Sequence, residues 1–326
     1  MTASAGGDTA ERRERVLAAI LEAGEAGVSG EALAEAMGTS RASVHRHVEG
    51  LRRDGLDIRS AHDGYRLADG VDPVVPMLVT PRLSAPLAGP LTWLPETGST
   101  NEDLIALARA GAPEGTVIGA DIQTAGRGRR GRTWMAARSH GLLVSALLRP
   151  GIPPVDAGLL PVVAAVGAAE ALGAGARIVW PNDILIDGRK VAGILCEMSA
   201  DQEGVAWAVV GIGINVRSAP ALDDARWRPG ALADTGDAPA RANLLVRLLA
   251  SLGDRYREWV GSGPDLILAA FAERDALMGR RITVSLPEGE VSGVSDGTDE
   301  LGRLRLRGDD GQERRLGAGE VVRVSH

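Results

Sequence analysis

Residues 123–134 read QTAGRGRRGRTW, and this stretch sets the terms for the rest of the chain. Gly126, Gly128 and Gly131 let the backbone turn sharply and approach a ligand closely, which suits a loop and weakens any regular element. The apolar runs on either side, 116–121 and 142–148, have the length and composition of strands, so the loop is expected to rise from a sheet. Arg127, Arg129, Arg130 and Arg132 are planar, permanently charged forks suited to phosphate and carboxylate. Such a loop can close over an anionic ligand. A basic patch for nucleic acid is the competing reading of the same residues. The net charge of -7 argues against a surface that coats nucleic acid or anionic membrane throughout.

The chain has 36 lysines and arginines together, and Lys190 is the one lysine among them. An ammonium is compact and bonds as a point charge, and Arg cannot replace it where a site is tight. Lys190 stands in DGRKVAGIL, just before an apolar run, with WPND a few residues upstream at 180–183. GIGIN follows at 211–215. The ordered set GRGRRGR, WPND, RK-AGIL and GIGIN, covering most of residues 90–220, resembles the biotin protein ligases, also called biotin–[acetyl-CoA-carboxylase] ligases. The flanking regions resemble the long form of that family, which is a bifunctional ligase and biotin operon repressor.

With 326 residues the chain has room for two or three domains. Aromatics are only 3% of it, so its cores must rest on Leu, Val, Ile and Ala. The single cysteine, Cys196, excludes an intramolecular disulfide framework and a cysteine metal cluster. The N-terminus lacks an apolar signal core, and a cytoplasmic protein is expected. Residues 1–70 are expected to form a winged helix-turn-helix. After a small, polar, disordered start come helices over 12–24, 30–38 and 41–55, the last two opened by Ser29 and Ser40. A hairpin over 56–67, turning at His62 to Tyr65, makes the wing. Residues 1–38 hold three arginines against seven acids, whereas 39–68 hold six against four, with three histidines. The positive balance lies on the recognition helix and wing, and Ser40, Arg41, Ser43, Arg46 and His47 are the expected DNA contacts. Residues 71–90, with five prolines, read as a linker.

The third and fourth parts follow. Residues 91–278 read as a central α/β catalytic domain with a mixed sheet, class II synthetase-like by the resemblance. Ser99 to Glu102 has the pattern of a capping box before a helix that ends at Gly111. Strands are expected over 177–180, 184–186, 191–198 and 205–214, largely as hairpins, with helices over 155–172, 241–260 and 265–277. Residues 279–326 alternate in short segments and read as a small SH3-like β-barrel. The whole is an α+β chain.

The resemblance also implies a chemistry. Biotin and ATP would give biotinyl-5′-AMP, and biotin would pass to a lysine of a biotin carboxyl carrier domain. Lys190, Arg127 and Arg129 are then the expected catalytic cations. Ser99, Thr100, Asn101, Gln123, Gly128 and Gly193 join them around biotin. Gly126, Arg129, Arg130, Arg132, Trp134, Asn182 and Asn215 are expected at ATP, with residues 216–240 as a cover, and Asp183 at Mg²⁺. A homodimer is expected with the adenylate bound, and operator DNA as a partner. The family has a lysine directly before WPND. Val179 stands there instead, so either the arginines compensate or turnover is reduced. Two other readings stay open: a ligand-sensing transcription factor without ligase activity, and a ligase for a related acid such as lipoate.

Overall fold

The computed structural model describes residues 4–61, 64–202, 204–221, 226–236 and 238–325. They form two compact units, Met1–Arg82 and Leu83–His326. The first unit holds helices α1 (Ser4–Ala23), α2 (Gly30–Ala36) and α3 (Arg41–Arg53). Strands β1 (Ile58–Ala61) and β2 (Gly64–Leu67) pair antiparallel, and the short helix α4 (Pro76–Val79) follows. Val16, Ile20, Leu33, Val44 and Val48 meet in its core. Each such side chain contributes about 1.5–3 kcal/mol on burial. Ser29 and Ser40 cap α2 and α3 by accepting from Ala32 N at 3.0 Å and Ser43 N at 3.2 Å.

Two details differ from the sequence reading. Helix α1 begins at Ser4, well before residue 12. The added part includes Ala10 and Glu11, exposed residues that are good helix formers. Residues 71–90 are folded in part: Val74, Val75 and Val79 are buried, and Val75 belongs to the first unit's core. The wing turn at His62 and Asp63 lies outside the described residues.

The second unit is built on a seven-stranded mixed sheet. Its strands are β3 (Leu91–Leu94), β4 (Val117–Ala120), β5 (Gly141–Leu148), β6 (Arg177–Val179), β7 (Asp183–Ile186), β8 (Arg189–Ala200) and β9 (Val205–Asn215). They lie in the order β3-β4-β5-β9-β8-β7-β6. Only β3–β4 is parallel, and the other neighbours run antiparallel, as the hairpin reading expects. Strand β3, only four residues long and directly after a proline-rich stretch, gave no signal of its own. Every residue of β5 is buried, so both faces of the sheet are covered. Helix α5 (Thr100–Arg109) packs Leu104 and Ala108 against Ile118, Leu147 and Val209 on one face. Helices α6 (Leu160–Leu172) and α7 (Arg241–Ser262) pack on each other and cover the other face, with α8 (Asp265–Ala272) beside them. Residues 154–172 are apolar and long enough to cross a membrane, but most of them are buried in this core. Helix α8 ends five residues before the expected Leu277, because the chain then pairs with the sheet edge. Ile178 N donates to Arg274 O and Ala276 N to Ile178 O, both at 2.8 Å.

Strands β10 (Arg281–Leu286), β11 (Gly289–Thr298), β12 (Leu304–Arg307), β13 (Glu313–Leu316) and β14 (Glu320–Ser325) make a five-stranded antiparallel sheet in the order β13-β12-β11-β10-β14. It is tied to the larger sheet by Trp180, whose Nε1 donates to Gly302 O at 3.0 Å.

Two buried charges mark where the fold is sensitive. Arg241, the first residue of α7, is wholly buried and pairs with Asp121 Oδ1 at 2.9 Å. Trp93 Nε1 donates to the same oxygen at 3.1 Å. The pair joins α7 to the end of β4, at the foot of the glycine–arginine loop. Arg241→Ala strands a buried carboxylate and should lower stability by about 3–5 kcal/mol, measured by urea unfolding. Asp275 has one carboxylate oxygen buried without a partner, and burial raises its pKa to about 6. The folded state therefore binds the proton more tightly than the unfolded state. Stability should fall by about 3 kcal/mol in all as pH rises from below the unfolded pKa, near 4, to above the folded one, near 6, and stay flat beyond. Asp275→Asn should remove that slope and raise the melting temperature at pH 8 more than at pH 4.5.

Candidate active site

The floor of the site is a sheet surface opened by three glycines. Asp183, Gly193, Gly213 and Leu143 are paired in a row across β7, β8, β9 and β5, and Leu195, Gly211 and Ser145 make the next row. A Cβ on Gly213 would lie 2.4 Å from the indole of Trp134, and one on Gly193 would lie 2.9 Å from it. A Cβ on Gly211 would lie 2.1 Å from Asn101 Oδ1. GIGIN is thus a strand whose alternate residues must be glycine, because an indole and a carboxamide lie directly on them. Above this floor is a cavity of about 740 Å³.

The loop over 123–134 folds back on itself above the cavity. Gly128 N donates to Arg132 O at 2.7 Å and Trp134 N to Gly126 O at 2.9 Å. Gly126 has no room for a Cβ, which would sit 2.3 Å from Trp134 O. At the loop's foot, Gln123 Oε1 accepts from Thr100 N at 2.8 Å and Thr100 Oγ1 at 3.0 Å. Gln123, not Ser99, therefore satisfies the start of α5. The Ser99 side chain makes no capping bond, which corrects the expected capping box. Ser145 Oγ lies 2.8 Å from Thr100 Oγ1 and donates to Asn101 Oδ1 at 2.6 Å.

Charges are concentrated at the other end. Lys190 Nζ lies 2.7 Å from Asp183 Oδ1 and 5.6 Å from the centre of the Trp134 ring. Arg226 pairs with the second oxygen of Asp183 and, at 2.7 Å, with Glu320. Glu320 also pairs with Arg132 and lies 4.0 Å from Arg130. Arg129 Nη1 donates to Asn182 Oδ1 at 3.3 Å and Gly319 O at 3.4 Å, and burial pulls its pKa below the usual arginine value. A cation that has given up water and gained only neutral acceptors at its tip is well prepared for an anion. The Trp134 Nε1 and Asn215 Oδ1 atoms are buried with no hydrogen-bond partner.

Of the residues singled out from the sequence, Ser99, Thr100, Asn101, Gln123, Arg127 and Gly128 line this cavity, as do Arg129, Arg130, Arg132, Trp134, Asn182, Asp183, Lys190, Gly193 and Asn215. Gly126 stands outside the lining and serves the loop's fold. Asp183 is committed to two cations, and no group of three or more His, Cys, Asp or Glu that could hold a metal occurs among the described residues. Val179 is wholly buried on β6 and does not line the cavity. Of the expected cover over 216–240, residues 222–225 and 237 lie outside the described residues, while Pro220, Ala221, Arg226, Trp227 and Pro229 line the cavity. Sequence reasoning missed Ser145, Glu197, Arg226 and Glu320. Ser145 and Glu197 were findable as lone polar residues in apolar strands. Glu320 arrives from the C-terminal sheet and left no local signal.

In the first unit, Arg41 and Arg46 are exposed on α3, Ser43 and His47 are half-buried, and Ser40 is occupied as the helix cap.

Comparison with known proteins agrees with this architecture. Residues 94–215 match the Biotin/lipoate A/B protein ligase family, residues 12–66 an HTH domain, and residues 277–324 the Biotin protein ligase C terminal domain. The bifunctional ligase/repressor BirA of Bacillus subtilis is 33% identical over 92% of this chain and 95% of its own. The biotin--[acetyl-CoA-carboxylase] ligase of Mycobacterium tuberculosis is 37% identical over 70% of this chain and 87% of its own. The biotin protein ligase from Aquifex aeolicus, solved in complex with biotin and ATP, is 29% identical, covers 72% of this chain and 99% of its own, and superposes with a TM-score of 0.62. The fold is that of a carboxylate–protein ligase with an added helix-turn-helix. The chain belongs to the biotin protein ligase family, in its long, helix-turn-helix-bearing form.

The glycine floor gives a direct test. Gly213→Ala should push the Trp134 indole off the sheet, seen as a red shift of the emission difference between the variant and the same variant carrying Trp134→Phe. An unchanged difference spectrum would show that the indole does not rest on Gly213.

Proposed function

We propose that this protein activates biotin with ATP and transfers it to a lysine of a biotin carboxyl carrier domain. The observation that carries the reading is that the only lysine, Arg127 and Arg129 line one cavity over a floor opened by Gly193, Gly211 and Gly213, together with the buried, unpartnered Trp134 Nε1 and Asn215 Oδ1. In this reading the biotin head lies toward Ser99, Thr100, Asn101, Gln123 and Gly128, with Gly193 beneath. Its carboxylate points to Lys190, where a carboxylate oxygen attacks the α-phosphorus of ATP and pyrophosphate leaves. Lys190, Arg127 and Arg129 offset the negative charge that collects as two anions meet. The acceptor lysine amine then attacks the acyl carbon and AMP departs. Arg130, Arg132, Trp134, Asn182 and Asn215 serve the nucleotide. Magnesium would arrive with ATP, and Asp183, whose Oδ1 is released when Lys190 turns to the ligand, would be the carboxylate at hand to hold it.

The helix-turn-helix adds a second activity, a biotin-responsive repressor that acts in the cytoplasm. Operator DNA would meet Arg41, Ser43, Arg46 and His47, and the adenylate-bound chain would act as a homodimer. Family membership and the two exposed arginines of α3 support this part. Val179 is buried and off the cavity lining, so its effect on turnover is read from Val179→Lys: a faster steady-state rate marks a lost group, and an unchanged rate removes that idea.

The test is biotin-dependent exchange between ATP and pyrophosphate. The natural protein should show it, and Lys190→Ala should lose at least about a hundredfold, on the scale of removing one charge-stabilising group. Exchange driven by lipoate and not biotin would move the chain to the related acid. No exchange with either would leave a ligand-sensing regulator.

A further inference from the structure

Glu197 lies on β8, two residues beyond Leu195 on the same face, and does not itself line the cavity. Its Oε2 accepts from Asn101 Nδ2 at 2.8 Å, and its Oε1 lies 3.0 Å from an Arg127 guanidinium nitrogen. Asn101 Nδ2 also donates to Leu195 O at 3.2 Å, and its Oδ1 accepts from Ser145, so its amide is fixed from both ends. These contacts close a ring. It leaves the loop at Gln123, passes through Thr100, Ser145, Asn101 and Glu197, and returns to the loop at Arg127. Glu197 is the one acid in that ring. The other acid near Arg127, Glu102, is more exposed and lies 3.4 Å away.

We infer that Glu197 is a positioning residue for the acid-binding half of the site, setting Arg127 above the start of α5 while it orients the Asn101 amide. The inference rests on the function proposed above. A charged hydrogen bond that is half-shielded from water holds an arginine more tightly than an exposed one. The remaining loop arginines lean on Glu320 and Gly319 at the far end of the cavity. Arg127 is thus the one held at the near end, and Glu197 decides where it sits. Groups of this kind shape a site through the residues they orient.

Glu197→Gln keeps an acceptor for Asn101 and removes the charge facing Arg127. Its KM for biotin should rise about tenfold, the equivalent of one charged hydrogen bond, with KM for ATP changed less than about twofold. In an Arg127→Gln background the same substitution should add less than about twofold, because the partner is already gone. Trypsin digestion of the ligand-free protein, read by mass spectrometry, should show faster cleavage after Arg127 and Arg129 in Glu197→Gln. An equal rise in both KM values, an undiminished effect in the Arg127→Gln background, or unchanged cleavage would overturn the inference. The digestion does not depend on activity. If the natural protein lacks biotin-dependent exchange, the functional reading fails while the cleavage rates still judge whether Glu197 holds the loop.

Discussion

The site depends on what three positions lack. Gly193, Gly211 and Gly213 carry no Cβ, so an indole and a carboxamide can lie directly on the sheet. Any other residue there would lift Trp134 or Asn101 into the space where a ligand would go. The floor is rigid because it is the centre of a seven-stranded sheet covered on both faces, and the buried Arg241–Asp121 pair holds the foot of the loop against it. A flat site on a rigid sheet costs little to keep in shape when a ligand enters.

The electrostatics follow from that geometry. The cations that face the cavity are already paired, Lys190 and Arg226 with Asp183, Arg132 and Arg226 with Glu320, and Arg127 with Glu197. Anion binding is therefore an exchange of one set of partners for another, and the net gain is smaller than a count of new contacts suggests. Arg129 differs, since its tip meets only neutral acceptors and burial lowers its pKa. In the proposed reaction it gains most when a phosphate arrives. The carboxylates keep the other cations in place until then. Glu320 gives the C-terminal sheet a direct part in this, because it gathers loop arginines from across the cavity.

Much of this was legible in the sequence, and the reason is local. The glycine and arginine spacing over 123–134, the isolated Lys190, WPND and GIGIN are contiguous signals, and all but Gly126 of the cavity residues expected from them line one cavity. Helix starts at Ser29 and Ser40 were readable because the cap is three residues from its partner. Where a partner is distant, the reading failed. The pattern from Ser99 to Glu102 looks like a self-contained cap, yet Gln123 supplies the acceptor from 23 residues away. Glu320, Arg226 and the edge pairing that shortens α8 are likewise tertiary. The burial of Val179 on β6 could not be seen in the sequence either.

The central claim is that the cavity over the glycine floor holds an acyl-adenylate, with Lys190 at the junction of acid and phosphate. A crystal structure of the protein grown with biotin and ATP tests it most directly. The account predicts biotinyl-5′-AMP in that cavity, with Lys190 Nζ moved from Asp183 to an oxygen at the acyl–phosphate junction. A ligand bound elsewhere, or one bound in the cavity while Lys190 stays on Asp183 out of reach of that junction, would contradict it.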